Sequence, residues 1–281
     1  MILHSALSAG TYILAKRALG EISAFELALA RFSMAAVIYA ALLWRVRVRV
    51  ERDDLLALIC LGFIAVPLNQ GLFLLGLARS TPGHAALMYA LTPVFVFLLA
   101  RARLTERASL AKIAGIVIAF GGVVVVLMAR GLMAYRGRGS PLVGDLLILA
   151  AVVAWAVYAV WGKPYAERYG PLSFSGLSLV FGSLLYLPVG LAESRFAHFA
   201  ALSRTGWMVL AYLVVVSSVV SYVIFYWALA RAEASRVAIW SNLQPVLTAV
   251  LAWFVYGERL SVPFVAGGAM VLAGVVLTER G

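Results

Sequence analysis

Few of the side chains that carry out aqueous chemistry occur in this chain. Only 12% of its 281 residues are charged, against about a quarter in an ordinary soluble domain. His4, His84 and His198 are its three histidines and Cys60 its one cysteine. A single cysteine excludes an intramolecular disulfide, and its place inside an apolar run predicts core packing. There is no His-Glu-x-x-His pair and no Gly-x-Ser-x-Gly turn, and no two acids are paired within an apolar run. A metal-dependent or nucleophilic enzyme therefore lacks its parts, and neither metal nor cofactor is expected. The 12 acidic residues all fall in polar breaks or near the ends of apolar runs. Exchange of a proton for an organic cation calls for an acid in mid-membrane, so that chemistry is disfavoured.

Hydrophobic residues are abundant, at 64% of the chain, with a mean hydropathy of +1.00. Apolar stretches of about 20 residues, enough to cross a hydrocarbon core as helix, follow one another with short polar breaks. They place membrane helices near 2–19, 23–44, 54–78, 82–101, 109–129, 142–163, 171–192, 206–230, 235–256 and 262–278. The fold class is thus an all-α polytopic membrane protein of ten spans, whose backbone satisfies its own hydrogen bonds. The start at Met1-Ile2-Leu3-His4 lacks a positive leader and is read as the first span rather than a cleaved signal. A net charge of +11 is scattered through the breaks, not gathered on a basic face, so its partner is the lipid surface and not nucleic acid. With the N-terminus inside, inner segments hold thirteen Lys and Arg and outer ones nine. Both termini are therefore expected on the cytoplasmic side of the inner membrane.

Comparison of the chain with itself shows a repeat. An offset of 152 aligns 77–126 with 229–278 without a gap, at roughly one-third identity. Leu77-Ala78-Arg79 falls on Leu229-Ala230-Arg231, Pro93 on Pro245, Glu106-Arg107 on Glu258-Arg259, Gly115 on Gly267 and Gly122 on Gly274. The division is a first five-helix repeat at 1–130, a glycine-rich charged linker at 131–140 and a second repeat at 141–281. Five spans per repeat put the second copy upside down relative to the first, an arrangement that lets a central site open to either side in turn.

The Pro93 and Glu106-Arg107 pattern with its glycine-spaced span, repeated at Pro245, Glu258-Arg259 and Gly267 to Gly274, resembles the EamA family of the drug/metabolite transporter superfamily. Arg31 in the second span and Trp161-Gly162-Lys163 ending the sixth are similar to that family too. The first span lacks the Trp-Gly pair before its own Lys16. The resemblance implies a ten-helix transporter of small solutes, and the aromatic positions are similar to those of bacterial exporters of amino acids, aromatic ones included. Multidrug, nucleoside or sugar export are alternatives within the superfamily, and a channel or an intramembrane enzyme lies outside it.

Polar groups within apolar runs mark a candidate solute cavity. His84, Met88 and Thr92 recur every four residues along one helical face, and the offset maps them to Arg236, Trp240 and Gln244. Asn69 and Gln70 map to Ser221 and Tyr222. Spans three, four, eight and nine are therefore expected to line the cavity. Tyr89, Trp155, Tyr158 and Tyr226 are further aromatic candidates, for which core packing is the other reading. His84 is either a ligand contact or an interfacial residue after Thr81-Pro82-Gly83, and Arg236 is the better anchor than ligand. Pro93 and Pro245 each remove a helical hydrogen bond and are expected to kink or hinge their spans. The paired glycines serve either internal packing or a dimer seam. Glu26 and Arg31, five residues apart, do not share a face and are not expected to pair.

Overall fold

The computed structural model describes residues 1–80, 85, 88–129, 141–244, 246–247 and 262–281, among which there are helices and turns but no strand. The helices are α1 (Ile2–Ala18), α2 (Ala24–Val46), α3 (Arg52–Arg79), α4 (Thr92–Arg103) and α5 (Leu110–Ala129). They continue with α6 (Pro141–Tyr169), α7 (Pro171–Ala192), α8 (Arg204–Leu229), α9 (Ala234–Ala238) and α10 (Val262–Arg280), with a single helical turn, Ala197–Ala200, between α7 and α8 and a 3₁₀ turn, Ile239–Asn242, after α9. Helices α2, α3, α6, α7 and α8 are long and apolar enough to cross a membrane. Val37, Leu110 and Val262 point outward, where only hydrocarbon solvates such side chains well. His84, Pro245, Glu258-Arg259 and the linker 131–140 lie outside the described residues.

Local chemistry sets the helix ends. Ser23 caps α2 in a reciprocal box: its side chain accepts from Glu26 N, and Glu26 Oε2 accepts from Ser23 N at 2.7 Å. Pro171 opens α7 in the first turn, where its missing N–H costs nothing. Helices α3 and α8 each contain an eight-residue π segment, Ile64–Gly71 and Leu213–Val220, and the two lie within one turn of each other under the 152-residue offset. Pro67 sits inside the first and removes a donor there. In the second, Tyr39 Oη donates to the carbonyls of Ser218 and Val219 at 3.3 and 3.0 Å. These wide turns interrupt the regular i→i−4 ladder and re-aim side chains into the interior.

Close backbone approach binds the helices together. The faces of α5 and α10 that carry the glycines meet each other: a Cβ on Gly122 would lie 2.6 Å from Gly267 O, and one on Gly115 2.7 Å from Gly274 O. The glycines thus serve packing within the chain. The offset relates Gly115 to Gly267 and Gly122 to Gly274, so the two contacts exchange under the repeat. Lysines behave in the same paired way. Lys16 Nζ donates to Leu77 O at 2.7 Å and Ser80 O at 2.8 Å, closing the end of α3. Lys163 Nζ donates to Leu229 O and, at 2.8 Å, to Ala232 O, closing the end of α8. Each cation meets carbonyls that a helix end leaves unsatisfied. The missing Trp-Gly pair before Lys16 leaves that cap intact.

Two expectations are corrected. Pro93 does not bend a continuous helix: Ala90 and Leu91 form a turn, and Pro93 stands in the first turn of α4. The span is broken rather than kinked, because a proline is accommodated at a helix start without losing a bond. Cys60 lies on an exposed face of α3 and not in the core, since an apolar run in a membrane helix need not be buried by protein.

Candidate functional site

A cavity of about 80 Å³ lies at the meeting of α1, α2, α3, α6 and α8 with the segments around Tyr89 and Gln244. The first 130 residues contribute His4, Ser8, Thr11, Tyr12, Arg31, Gln70, Phe73 and Tyr89. The second half contributes Trp155, Ser217, Ser221, Tyr222, Ser241 and Gln244. No carboxylate lines it among the described residues. The volume holds a few water molecules and is below the several hundred Å³ typical of small-molecule sites.

A hydrogen-bonded floor orders the wall. Thr11 Oγ1 is 2.9 Å from Ser217 Oγ, and Ser8 Oγ is 2.7 Å from Ser221 Oγ. His4 Nδ1 lies 2.9 Å from Ser221 Oγ and 3.0 Å from Ser221 O. Tyr12 Oη donates to Gln244 Oε1 at 3.0 Å, which fixes the amide. The π segment of α8 places Ser217 and Ser218 inward together, where Arg31 donates to both, Nη2 to Ser217 Oγ at 3.0 Å and Nε to Ser218 Oγ at 2.8 Å. Aromatic rings form the remaining wall. Tyr12, Phe73 and Tyr89 meet edge to face with centroids 5.5 to 5.9 Å apart, and Trp155 meets Tyr222 at 5.5 Å.

Of the residues singled out from the sequence, Gln70, Tyr89, Trp155, Ser221, Tyr222 and Gln244 line this cavity. Asn69 stands behind it, donating to Ala151 O at 2.7 Å and Tyr89 Oη at 3.1 Å, and so holds Tyr89 in place. Tyr158 and Tyr226 are packed away from the cavity against each other and Phe174, and Tyr226 Oη donates to Tyr158 O at 3.0 Å. Met88 packs against the core and Thr92 is buried at the start of α4. Trp240 is not in the wall: its indole Nε1 donates to Glu279 Oε1 at 2.6 Å on α10. The 3₁₀ turn after α9 turns its side chain out of the face that an unbroken helix predicts. His84 lies outside the described residues.

The first helix supplies a wall that the repeat comparison missed, because the alignment begins only at residue 77. Its signal is a polar stripe, His4, Ser8 and Thr11, at helical spacing. Phe73 is matched to Phe225 by the 152-residue offset, whereas Ser217 and Ser241 carry no comparable mark. Arg31 and Glu26 are each partnered, but not with one another. Glu26 accepts from Arg195 N at 2.8 Å and lies 2.9 Å from His198 Nδ1 at the opposite end of α2 from Arg45.

Comparison with known proteins agrees with this architecture. The family model described as the EamA-like transporter family matches twice, at residues 1–128 and 142–280. A protein of Archaeoglobus fulgidus named "Uncharacterized transporter" is 29% identical over 272 residues, covering 96% of this chain and 92% of its own length. A "Probable terminal-alkyne amino-acid exporter" of Streptantibioticus cattleyicolor is 30% identical over 255 residues, covering 90% and 83%. A solved crystal structure of 18% identity shares the fold at a TM-score of 0.80, over 99% of this chain and 95% of that one. The chain is a multi-pass membrane transporter belonging to the EamA-like transporter family, within the drug/metabolite transporter superfamily.

Proposed function

We propose that the protein exports amino acids, aromatic ones included, across the cytoplasmic membrane by alternating access. Ten spans in two inverted five-helix repeats, divided at the linker 131–140 and with both termini inside, carry this cycle. The observation that carries the reading is a polar and aromatic cavity built jointly by the two sequence repeats. The paired lysine caps support the inversion, since under this topology Lys16 closes α3 at the outer end and Lys163 closes α8 at the inner end. The reciprocal contacts of Gly115 with Gly274 and Gly122 with Gly267 support it as well. The relative named as an amino-acid exporter supports the solute class.

Chain segments from the two repeats are tied at both ends of the bundle. At the inner end, Lys112 Nζ is 2.6 Å from Glu233 Oε2, and Glu106 accepts from Ala234 N and Ser235 Oγ, each at 2.5 Å. At the outer end, Glu26 meets His198, and Ser80 Oγ donates to Asp145 Oδ1 at 2.5 Å. Opening to one side breaks one set and keeps the other. A cavity of about 80 Å³ is too small for phenylalanine, so loading requires that opening. Aromatic rings then stack on the solute's side chain, while hydroxyls and amides meet its polar end.

Counterflow of labelled phenylalanine and threonine in proteoliposomes, with and without a pH gradient, tests the function. Saturable exchange of both is expected, reduced at least tenfold by Trp155→Ala combined with Tyr222→Ala. Unchanged exchange in that double variant removes the cavity from the pathway, and no exchange of either amino acid by the unaltered protein removes the solute class. Uptake that depends on the pH gradient makes His4, which touches the cavity, the first group to replace.

A further inference from the structure

Arg31 is the one ionised side chain placed in the cavity wall among the described residues, and it is 1% exposed. A guanidinium carries five N–H donors and never gives up its charge in a protein. Three donors are engaged here, Nε with Ser218 Oγ, Nη2 with Ser217 Oγ and, at 3.2 Å, Nη1 with Gln70 Oε1. All three acceptors are neutral, and the neighbouring ring of Phe32, 4.7 Å away, is neutral too. No Asp or Glu forms an ion pair with it among the described residues. The ion pairs among the described residues stand near helix ends, whereas Arg31 stands inside a long apolar helix.

Burial of a charge without a counter-charge is costly, and neutral partners offset the cost only in part. The three hydrogen bonds fix the plane of the guanidinium and leave one donor on each terminal nitrogen. Such a group matches a planar carboxylate, which brings the missing charge and accepts two bonds at once. An ammonium finds only neutral acceptors in this wall, among them Ser221 Oγ and Gln244 Oε1.

Resting on the reading of this cavity as the solute site, we propose that Arg31 anchors the carboxylate of the solute, and that the site selects carboxylates and zwitterions over amines. The carboxylate is the required end of the solute and the amino group is tolerated. The aromatic wall of Phe73, Tyr89, Trp155 and Tyr222 takes the side chain.

Binding of phenylalanine, 3-phenylpropionate and 2-phenylethylamine to the purified protein, by titration calorimetry or ligand-induced thermal shift, tests the assignment without any substitution. Both carboxylates are expected to bind at least tenfold more tightly than the amine. Arg31→Lys, which keeps the charge and loses the fork, is expected to weaken both carboxylates about tenfold while leaving the amine unchanged; Ser217→Ala reports the cost of disturbing the surrounding hydrogen bonds alone. Amine binding equal to or tighter than the carboxylates overturns the anchor and leaves an amino-compound carrier standing. Carboxylate binding that Arg31→Lys leaves untouched does the same. Binding of 3-phenylpropionate without phenylalanine keeps the anchor and overturns the amino-acid reading, and binding of none of the three overturns both.

Discussion

Trp240 and Tyr222 separate two roles that a large aromatic can take in a membrane. Tyr222 faces the cavity, with its hydroxyl buried near Gln70 without reaching hydrogen-bond geometry. It is therefore free to turn toward a solute. Trp240 instead ties the turn after α9 to Glu279 on α10. Trp240→Phe is expected to lower stability by about 1.5–3 kcal/mol, the worth of one hydrogen bond to a charged acceptor, and to leave the KM for exchanged solute within twofold. Thermal unfolding beside counterflow kinetics checks this, and a large rise in KM with unchanged stability refutes it. The same contrast sets Gln70, on the wall and bonded to Arg31, against its neighbour Asn69, which supports Tyr89 from behind. Adjacent residues thus divide into one that lines the cavity and one that stands behind it.

Helix pairs are held by small residues where backbones nearly touch. Gly121 and Gly122 are neighbours on α5, yet a Cβ on Gly121 would meet only Met270 Cε at 3.5 Å, an ordinary contact. On Gly122 it would meet Gly267 O at 2.6 Å and Val271 N at 2.8 Å, both backbone atoms that cannot give way cheaply. Gly121→Ala is expected to be neutral or slightly stabilising, since alanine favours a helix by up to about 1 kcal/mol over glycine. Gly122→Ala is expected to cost about 1–3 kcal/mol through overpacking. Melting temperatures of the two variants, measured in one detergent, decide the point. The π segments belong to this scale as well. The π segment of α8 carries Ser217 and Ser218, the two neighbouring hydroxyls to which Arg31 donates. The interrupted ladder also leaves carbonyls that Tyr39 satisfies from α2.

At the scale of the whole molecule, the proposed alternating access would turn on the ties between the two halves of the chain. Glu233 is central to one of these sets, 2.6 Å from Lys112 and 2.9 Å from Arg236. Partial burial alone would raise its carboxyl, but the hydrogen bond and charge of Lys112 with the charge of Arg236 outweigh it and hold it below the ordinary glutamate value. A carboxyl lowered in the folded state contributes stability that is present above its unfolded pKa of about 4.3 and is lost as the pH falls through the folded value. The folded protein is therefore expected to lose melting temperature on acidification from about pH 5 downward. Glu233→Gln is expected to start lower at pH 7 and to fall less over that range; parallel profiles for the two proteins would assign the acid sensitivity elsewhere. Under the proposed alternating access, weakening this tie is expected to favour conformations open at that end.

Composition and periodicity by themselves determined the all-helical membrane class, because only helix satisfies the backbone in runs this apolar, and charge-poor runs of this length leave no other solvent. Register matching determined the duplication, since Arg, Pro, Glu-Arg and two glycines align in one frame. Those signals are local or periodic, and a sequence displays them directly. The site was legible where a polar residue stood out inside an apolar run, as with Gln70, Tyr222 and Gln244. It was not legible where the decisive event is a departure from regular helix. The 3₁₀ turn after α9 rotates Trp240 off the cavity face, the turn before Pro93 ends a span that periodicity draws as continuous, and the π segment of α8 aims two serines at Arg31. Which surface of α1 faces inward, and that the α5 and α10 glycines face each other, were decided only by tertiary structure. Helical spacing states which residues share a face, but the partner of that face is chosen by packing against distant parts of the chain.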